Sequence, residues 1–276
     1  MSADSGAEHA DHAHGHEHHA HDHDHHDHEH AHEHSHVGAD GQVYWHRHVD
    51  ESPQTRLVRV EQDLLATNNR FAEENRRRFT ERGTLVVNLM SSPGSGKTTL
   101  LVRTLTDQRG RYPMAVVEGD QQTRLDADRI EKTGVPAIQI NTGKGCHLDA
   151  RMLADAIQRV DPPARGVMFV ENVGNLVCPA GFDLGEHKRV VVFSAPEGED
   201  KPLKYPDMFA TADLVLINKV DLLPHLGVDR ARMIDNVRRV RPSATILEVS
   251  ATTGAGLEAF YEWLDRALAE RIATST

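Results

Sequence analysis

A short apolar run, Leu85–Leu89, leads almost directly into Ser91-Ser92-Pro93-Gly94-Ser95-Gly96-Lys97-Thr98-Thr99, and few folds remain open to a chain with that junction. A strand that stops at two glycines and restarts as a helix at Lys97 is a phosphate cradle. Gly94 and Gly96 let the backbone turn and bring N–H groups, including that of Ser95, against phosphate oxygens. The following helix directs its positive end at the same anion. Lys97 is placed to reach the β- and γ-phosphates and Thr98 to hold Mg2+, with Thr99 counted among the nucleotide-binding residues. Ser91 stands where the strict motif has its first glycine. The competing reading, a chance glycine turn, does not account for a strand before and a helix after.

The rest of the chain supplies the sheet that such a loop requires. Apolar, β-rich runs recur at Met114–Val117, Ala137–Ile140, Val167–Val170, Val190–Phe193, Leu214–Ile217 and Ile246–Val249. Most are continuous rather than alternating, which suits strands covered on both faces. Helical stretches at about 98–108, 124–132, 148–160, 229–240 and 256–272 separate many of them. The expected class is α/β, a P-loop NTPase with a doubly wound, mostly parallel sheet and helices on both faces. Ligands then belong at the carboxyl ends of the strands.

Asn218-Lys219-Val220-Asp221 directly follows Leu214–Ile217. The Asp221 carboxylate can accept from N1–H and the 2-amino group of guanine, a donor pair that adenine lacks. The Lys219 stem can cover the ring, and Asn218 can tie the loop. Ser250-Ala251-Thr252-Thr253-Gly254 follows the last strand, with the Ala251 N–H as a donor for guanine O6. Order matters here, because N-K-V-D alone is a weak signal. Two further strand ends carry acids, Glu118-Gly119-Asp120 and Glu171-Asn172-Val173-Gly174. Asp120 and Glu171 are candidates for Mg2+ contact, and the Gly174 N–H for sensing the γ-phosphate. The plainer alternative for each acid is a helix cap. With no obvious arginine finger or general base, slow turnover is expected without a partner.

The chain has two cysteines. Cys146-His147 follows the third strand and Cys178 the fourth, so all three can meet at the same edge. Two thiolates and an imidazole suit Zn2+ or Ni2+. Three donors leave a coordination shell incomplete, which a two-fold dimer can repair by sharing two sets. Two inert core cysteines remain the alternative.

The amino-terminal region is of another kind. Residues 9–36 hold fifteen histidines: His9, His12, His14, His16, His18, His19, His21, His23, His25, His26, His28, His30, His32, His34 and His36. Seven acids are interleaved, and no apolar residue there exceeds alanine. Such a segment cannot offset its ordering entropy by burial, so disorder is expected. Imidazoles at this density suit loose binding of several Ni2+, Zn2+ or Cu2+ ions. Residues 1–40 carry ten acidic and no basic side chains, so a formal charge of −11 for the chain leaves the remaining 236 residues at −1. That balance argues against a nucleic-acid partner. No apolar run is long enough for a membrane span and no leader pattern is present, so cytoplasmic placement is expected. We divide the chain into a tail and linker, residues 1–54, and a GTPase domain with an amino-terminal helix, residues 55–276. Leu57–Val58, Leu64–Leu65, Phe71–Ala72 and Phe79 recur every seven residues, which predicts a helix over 55–81 docked on that domain.

Taken together, S-S-P-G-S-G-K-T-T, E-G-D-Q-Q-T, G-C-H-L-D-A, E-N-V-G-N-L-V-C-P-A and N-K-V-D resemble the nickel-incorporation GTPases of hydrogenase maturation, the HypB family, over about residues 55–270. The resemblance implies GTP hydrolysis to GDP, dimerisation with nucleotide or metal, and help in delivering nickel to the large-subunit precursor of [NiFe] hydrogenase. It also implies a HypA-type metallochaperone as partner and a domain metal site on Cys146, His147 and Cys178. The cysteine-rich nickel motif at the amino terminus of some members has no counterpart here; the His-rich stretch of others does, and implies nickel storage. Two alternatives stand beside this one: a urease-accessory nickel GTPase, whose metal motif is Cys-Pro-His, and a nickel store with a regulatory nucleotide domain.

Overall fold

The computed structural model describes residues 31–37, 42–49, 53–120 and 125–275. Its elements are β1 (Ala31–Val37), β2 (Val43–Val49), α1 (Pro53–Glu81), β3 (Leu85–Ser91), α2 (Lys97–Asp107), β4 (Met114–Asp120), α3 (Leu125–Glu131), β5 (Ala137–Asn141), α4 (Ala150–Ala156), β6 (Val167–Glu171), β7 (Lys188–Ser194), α5 (Lys201–Lys204), α6 (Pro206–Ala210), β8 (Leu214–Asn218), α7 (Arg230–Val240), β9 (Thr245–Glu248) and α8 (Leu257–Ala273). The chain divides into two units, residues 1–59 and residues 60–276.

The first unit contains an antiparallel pair, β1 with β2, in which His32 lies opposite His48 and Val37 opposite Val43. The sequence reading put the end of a disordered tail and a linker here. Strand-favouring residues explain the difference: Val37, Val43, Tyr44, Trp45 and Val49 carry high β-propensity, and the histidines alternate at period two. The disorder expected for the run from His9 to His30 lies outside the described residues.

The second unit is built on a seven-stranded sheet ordered β5-β4-β6-β3-β7-β8-β9. Each of its pairings is parallel. Every residue of β3 is buried, as a central strand covered on both faces requires. Successive side chains alternate between faces. Leu85, Val87 and Leu89 pack with Leu100 and Leu101 of α2 and Phe260 and Leu264 of α8. Val86 joins Val117, Met168 and Val170 on the opposite face, beneath Phe79, Leu153 and Ile157. A third cluster joins Met90, Val191 and Phe193 to Met208, Phe209 and Val237. Burying each such Phe or Leu contributes about 1.5–3 kcal/mol, so these clusters supply most of what orders the sheet.

Helix α1 docks over only part of the predicted apolar repeat. Ala72, Asn75 and Phe79 are fully buried, whereas Leu57, Val58 and Leu64 are more than half exposed. Two asparagines anchor the docked part. Asn75 Nδ2 donates to Ala150 O at 2.8 Å and to Leu184 O at 3.0 Å. Asn68 Nδ2 donates to Asp183 O at 2.7 Å, and its Oδ1 accepts from Ala150 N–H at 2.9 Å. Polar residues thus do part of what the heptad pattern assigned to apolar ones.

Candidate functional site

Because the strands run the same way, β3, β4, β6 and β8 deliver their carboxyl ends to one edge. A cavity of about 550 Å3 opens there, lined by Ser91–Thr99 and by Glu118, Asp120, Asp126, Arg129, Glu171, Gly174 and Lys219. Gly96 has φ 91° and precedes the first residue of α2. A Cβ at Gly96 would lie 2.6 Å from Asn218 Nδ2, so both backbone angle and space require glycine. Ser91, which replaces the motif's first glycine, closes β3 without a positive φ, so no glycine is needed there.

Behind the turn, Lys97 Nζ lies 3.1 Å from Glu171 Oε1, with side-chain exposures of 10% and 3%. The Thr98 hydroxyl donates to Glu171 Oε1 at 2.6 Å, with Asp126 Oδ2 at 3.1 Å. Glu171 Oε2 and Glu118 Oε2 are buried acceptors with no hydrogen-bond partner. A hydroxyl beside several carboxylates with unused lone pairs is the hard-oxygen set that suits Mg2+. Burial, followed by the neighbouring Glu171 and Asp120, pushes the Glu118 carboxyl up to about 8.

Three cavity residues escape the sequence reading: Glu118, Asp126 and Arg129. Glu118 sits two residues from Asp120 on one strand, so the E-x-D spacing alone puts both on one face. Asp126 and Arg129 form an i, i+3 pair on α3, 3.0 Å apart, and Arg129 Nη2 donates to Thr99 Oγ1 at 3.0 Å. An arginine therefore does stand at the cavity rim, although no motif in the sequence points to it.

At the other end, Asn218 Nδ2 donates to Ser95 O at 2.9 Å, and Ala251 N–H donates to Asn218 Oδ1 at 3.1 Å. Asn218 thus ties the phosphate loop to the last loop, as its position predicts. The Ala251 amide, expected to serve guanine O6, is given to Asn218 instead. Lys219 takes a left-handed φ of 60° and spans to Gly94 O at 2.6 Å. Asp221 is exposed, in a short 3-10 helix Val220–His225. Ser250 is buried and its hydroxyl accepts from Thr253 N–H at 3.1 Å.

The two cysteines do converge. Cys146 Sγ lies 2.7 Å from Cys178 Sγ and 3.6 Å from His147 Nδ1, and one donor atom from each of the three residues falls within 4.8 Å of the others. All three residues are half-buried. The hydrogen bond to Cys178, then burial, holds the Cys146 thiol above its ordinary pKa. Burial holds His147 below its own, and so neutral and ready to ligate. Two sulfurs and one nitrogen fit Ni2+ or Zn2+ and leave room for further donors.

Hydrogen bonds connect this cluster to the nucleotide cavity along two routes. Thr142 N–H donates to Asp120 O at 3.0 Å, and Gly145 N–H donates to Thr142 O at 2.8 Å, next to Cys146. Asn172, adjacent to Glu171, accepts at Oδ1 from Leu148 N–H and from Val173 N–H, each at 3.0 Å. A Cβ at Gly119 would lie 2.7 Å from Leu148, so the strand end and the metal loop are in close contact. A second cavity of about 570 Å3 borders His147 and is partly walled by Val60, Leu64, Phe71, Met152 and Phe182.

A phosphate loop at the carboxyl edge of a parallel sheet, tied through Asn218 to the last loop and joined by hydrogen bonds to a sulfur–nitrogen cluster that could hold a metal ion, defines the class: a P-loop nucleotide-binding domain. The family model for the CobW/HypB/UreG nucleotide-binding domain matches residues 85–248. The hydrogenase maturation factor HypB of Rhizobium leguminosarum bv. viciae is 54% identical over 241 residues, covering 86% of this chain and 81% of that protein. The HypB of Escherichia coli K12 is 57% identical over 218 residues, covering 79% and 75%. Among solved structures, HypB of Archaeoglobus fulgidus superposes with a TM-score of 0.70 at 40% identity, over 74% of this chain and 100% of that one. HypB of Helicobacter pylori in complex with nickel gives a TM-score of 0.69 at 39% identity, over 75% and 97%. The chain belongs to the HypB family of P-loop GTPases, the hydrogenase maturation factors. Among the described residues, no helix is long and apolar enough to cross a membrane.

Proposed function

We propose that this chain is a GTP-switched nickel carrier for [NiFe] hydrogenase, loading the ion at Cys146, His147 and Cys178 and releasing it as the nucleotide state changes. The observation that carries this reading is Asn172, whose one side-chain oxygen holds both the strand end beside Glu171 and the loop that follows His147. Gly94, Ser95, Gly96, Lys97 and Thr98 hold the phosphates, and Asp221 selects guanine. Mg2+, when bound at Thr98, Asp120 and Glu171, neutralises charge on the phosphates. The Gly174 N–H meets the γ-phosphate. Gly174 is close-packed on Pro93, since a Cβ there would lie 3.2 Å from its backbone, so the phosphate loop and the segment leading to Cys178 move together. Losing the last phosphoryl group relaxes that segment and alters the spacing of the thiolates.

Three donors per chain favour a homodimer that shares two sets across its axis. Recipients are a HypA-type metallochaperone and the hydrogenase large-subunit precursor, with the apolar cavity beside His147 well situated for a partner. The His-rich segment, including His9 to His36, buffers nickel, and protonation should release it below a pH of about 6.5. Turnover is slow without a partner, and the chain works in the cytoplasm.

Cys146→Ser combined with Cys178→Ser tests the central claim. The variant is expected to bind GTP normally, to lose thiolate-to-nickel charge-transfer absorption, and to fail in maturing hydrogenase at ordinary nickel supply. Normal maturation by that variant would return both cysteines to inert packing. Deleting residues 1–46 should spare maturation at ample nickel and impair it when nickel is scarce.

A further inference from the structure

We propose that Arg189 is a positioning residue for the cysteine–histidine site: its guanidinium braces the turn that carries Cys178, and through Phe182 the ring of His147, against a buried carboxylate tied to the central strand. The inference deepens the carrier reading and takes from it only the identity of the ion. Arg189 is the second residue of β7. Its N–H donates to Asp213 Oδ2 at 2.8 Å, and its carbonyl accepts from Asp213 N–H at 2.9 Å, so the backbone is fixed on that side. The guanidinium reaches three acceptors the other way. Nε donates to Glu186 Oε1 at 2.6 Å, Nη1 to Ala180 O at 3.1 Å and Nη2 to Phe182 O at 3.2 Å.

The anchor is rigid. The Glu186 side chain is only 3% exposed. Its Oε1 also accepts from Asn88 Nδ2 of β3 at 3.2 Å, and its Oε2 accepts from Leu184 N–H at 2.7 Å. Asn88 is itself fully buried. A buried carboxylate with both oxygens engaged and a cation beside it has little freedom to move. A planar guanidinium, with donors in fixed directions, passes that rigidity on; a lysine ammonium on its flexible stem does not.

The segment that Arg189 holds has little order of its own. Cys178 begins a 3-10 helix of four residues, Cys178–Gly181, which no side chain caps at its start. A single turn of this kind is weakly stable in isolation. Arg189 takes the carbonyls of Ala180, within the turn, and of Phe182, just beyond it. The Phe182 ring lies against His147, with centroids 3.9 Å apart and planes at 33°. One guanidinium therefore fixes both the turn that presents the Cys178 thiol and the ring that backs the imidazole. Partners that orient metal ligands in this way shape affinity without touching the ion.

Two probes read the site in the full chain. Ni2+ is followed by thiolate charge-transfer absorption, which excludes the histidine-rich segment. Phenylarsine oxide bridges two neighbouring thiols, and so reports their spacing with no nickel present. Arg189→Ala would leave Glu186 buried and unpaired, so the informative variant is Arg189→Lys, which keeps that pair and gives up the two carbonyls. Arg189→Lys is expected to weaken binding of both probes by about tenfold or more, with GDP affinity kept within about twofold. Phe182→Leu retains apolar bulk without the ring; it should weaken Ni2+ by about three- to tenfold and leave the arsenical within about twofold. Parent affinity for both probes in Arg189→Lys would overturn the proposal. So would a loss matched by an equal loss of GDP affinity, the mark of general damage to the fold. If the parent shows no thiolate-to-nickel absorption while Arg189→Lys still loses the arsenical, the carrier reading fails and the brace stands.

Discussion

Asn172→Ala tests the proposed link between nucleotide and metal. Asn172 Oδ1 accepts from the buried amides of Leu148 and Val173, and its own N–H donates to Leu89 O at 3.0 Å. The substitution leaves the first two amides without an acceptor. Each unpaired buried amide costs about 1–3 kcal/mol, so stability should fall by about 2–6 kcal/mol. Domains of this kind hold about 5–15 kcal/mol, and most of that range tolerates the loss. Coupling between two ligands typically amounts to about 1–3 kcal/mol, a five- to 150-fold change in affinity. The assay is nickel affinity at the cysteine site, read by thiolate charge transfer to exclude the histidines, with GDP and with a non-hydrolysable GTP analogue. In the parent the two affinities should differ within that range. In Asn172→Ala the difference should shrink to within about twofold. Leu264→Ala, a core truncation costing about 2–5 kcal/mol, serves as the stability control and should keep the parent difference. Full coupling in Asn172→Ala, together with the expected drop in stability, would refute this route between the sites.

Asp221→Asn should reduce GTP affinity about 100-fold by removing a charged acceptor of two hydrogen bonds, and should shift preference toward xanthine nucleotides in competition binding. Unchanged guanine selectivity would dismiss Asp221 as the base reader. Gly96→Ala is expected to abolish nucleotide binding by calorimetry, because φ 91° and a neighbour at 2.6 Å both exclude a methyl group. Glu118 carries a pH signature in the nucleotide- and metal-free protein. Its carboxyl goes from an ordinary 4.5 to about 8 in the fold, so the folded state holds the proton more tightly. The stability it confers is complete below about 4.5 and disappears as pH rises to about 8. Glu118→Gln should therefore raise the thermal midpoint above pH 8, by up to roughly 4–5 kcal/mol in stability, and make no difference in acid. Equal midpoints in alkali would show that Glu118 is not held protonated.

The sheet was legible because its inner strands are buried on both faces and so appear as unbroken apolar runs. Each predicted run marks a strand, with Leu85–Leu89 extending to Ser91 and Met114–Val117 to Asp120, and with Ile246–Val249 overrunning β9 by one residue. The extensions include the cavity residues Ser91, Glu118 and Asp120, polar ends that an apolar pattern cannot register. Cys146 and Cys178 were legible as neighbours only through topology, since 31 residues separate them in the chain. What stayed hidden has physical reasons. Leu57, Val58 and Leu64 match a heptad whether or not anything covers them. Arg129 reaches Thr99 from a seven-residue helix too short to show periodicity. Pairing of β1 with β2 depends on register, which composition averages away.

The strand order β5-β4-β6 has a consequence for how cargo and folding interact. Cys146 and Cys178 leave strands that do not touch, with β4 lying between them. The two sulfurs can therefore come together only after β4 has been inserted, and an unfolded chain offers no equivalent chelate. An ion at this position rewards the finished sheet, by about 1.4 kcal/mol for each tenfold excess of free metal over the dissociation constant. On the carrier proposal, loading is then also a form of proofreading: only chains that have completed their central strands can hold an ion between the two sulfurs.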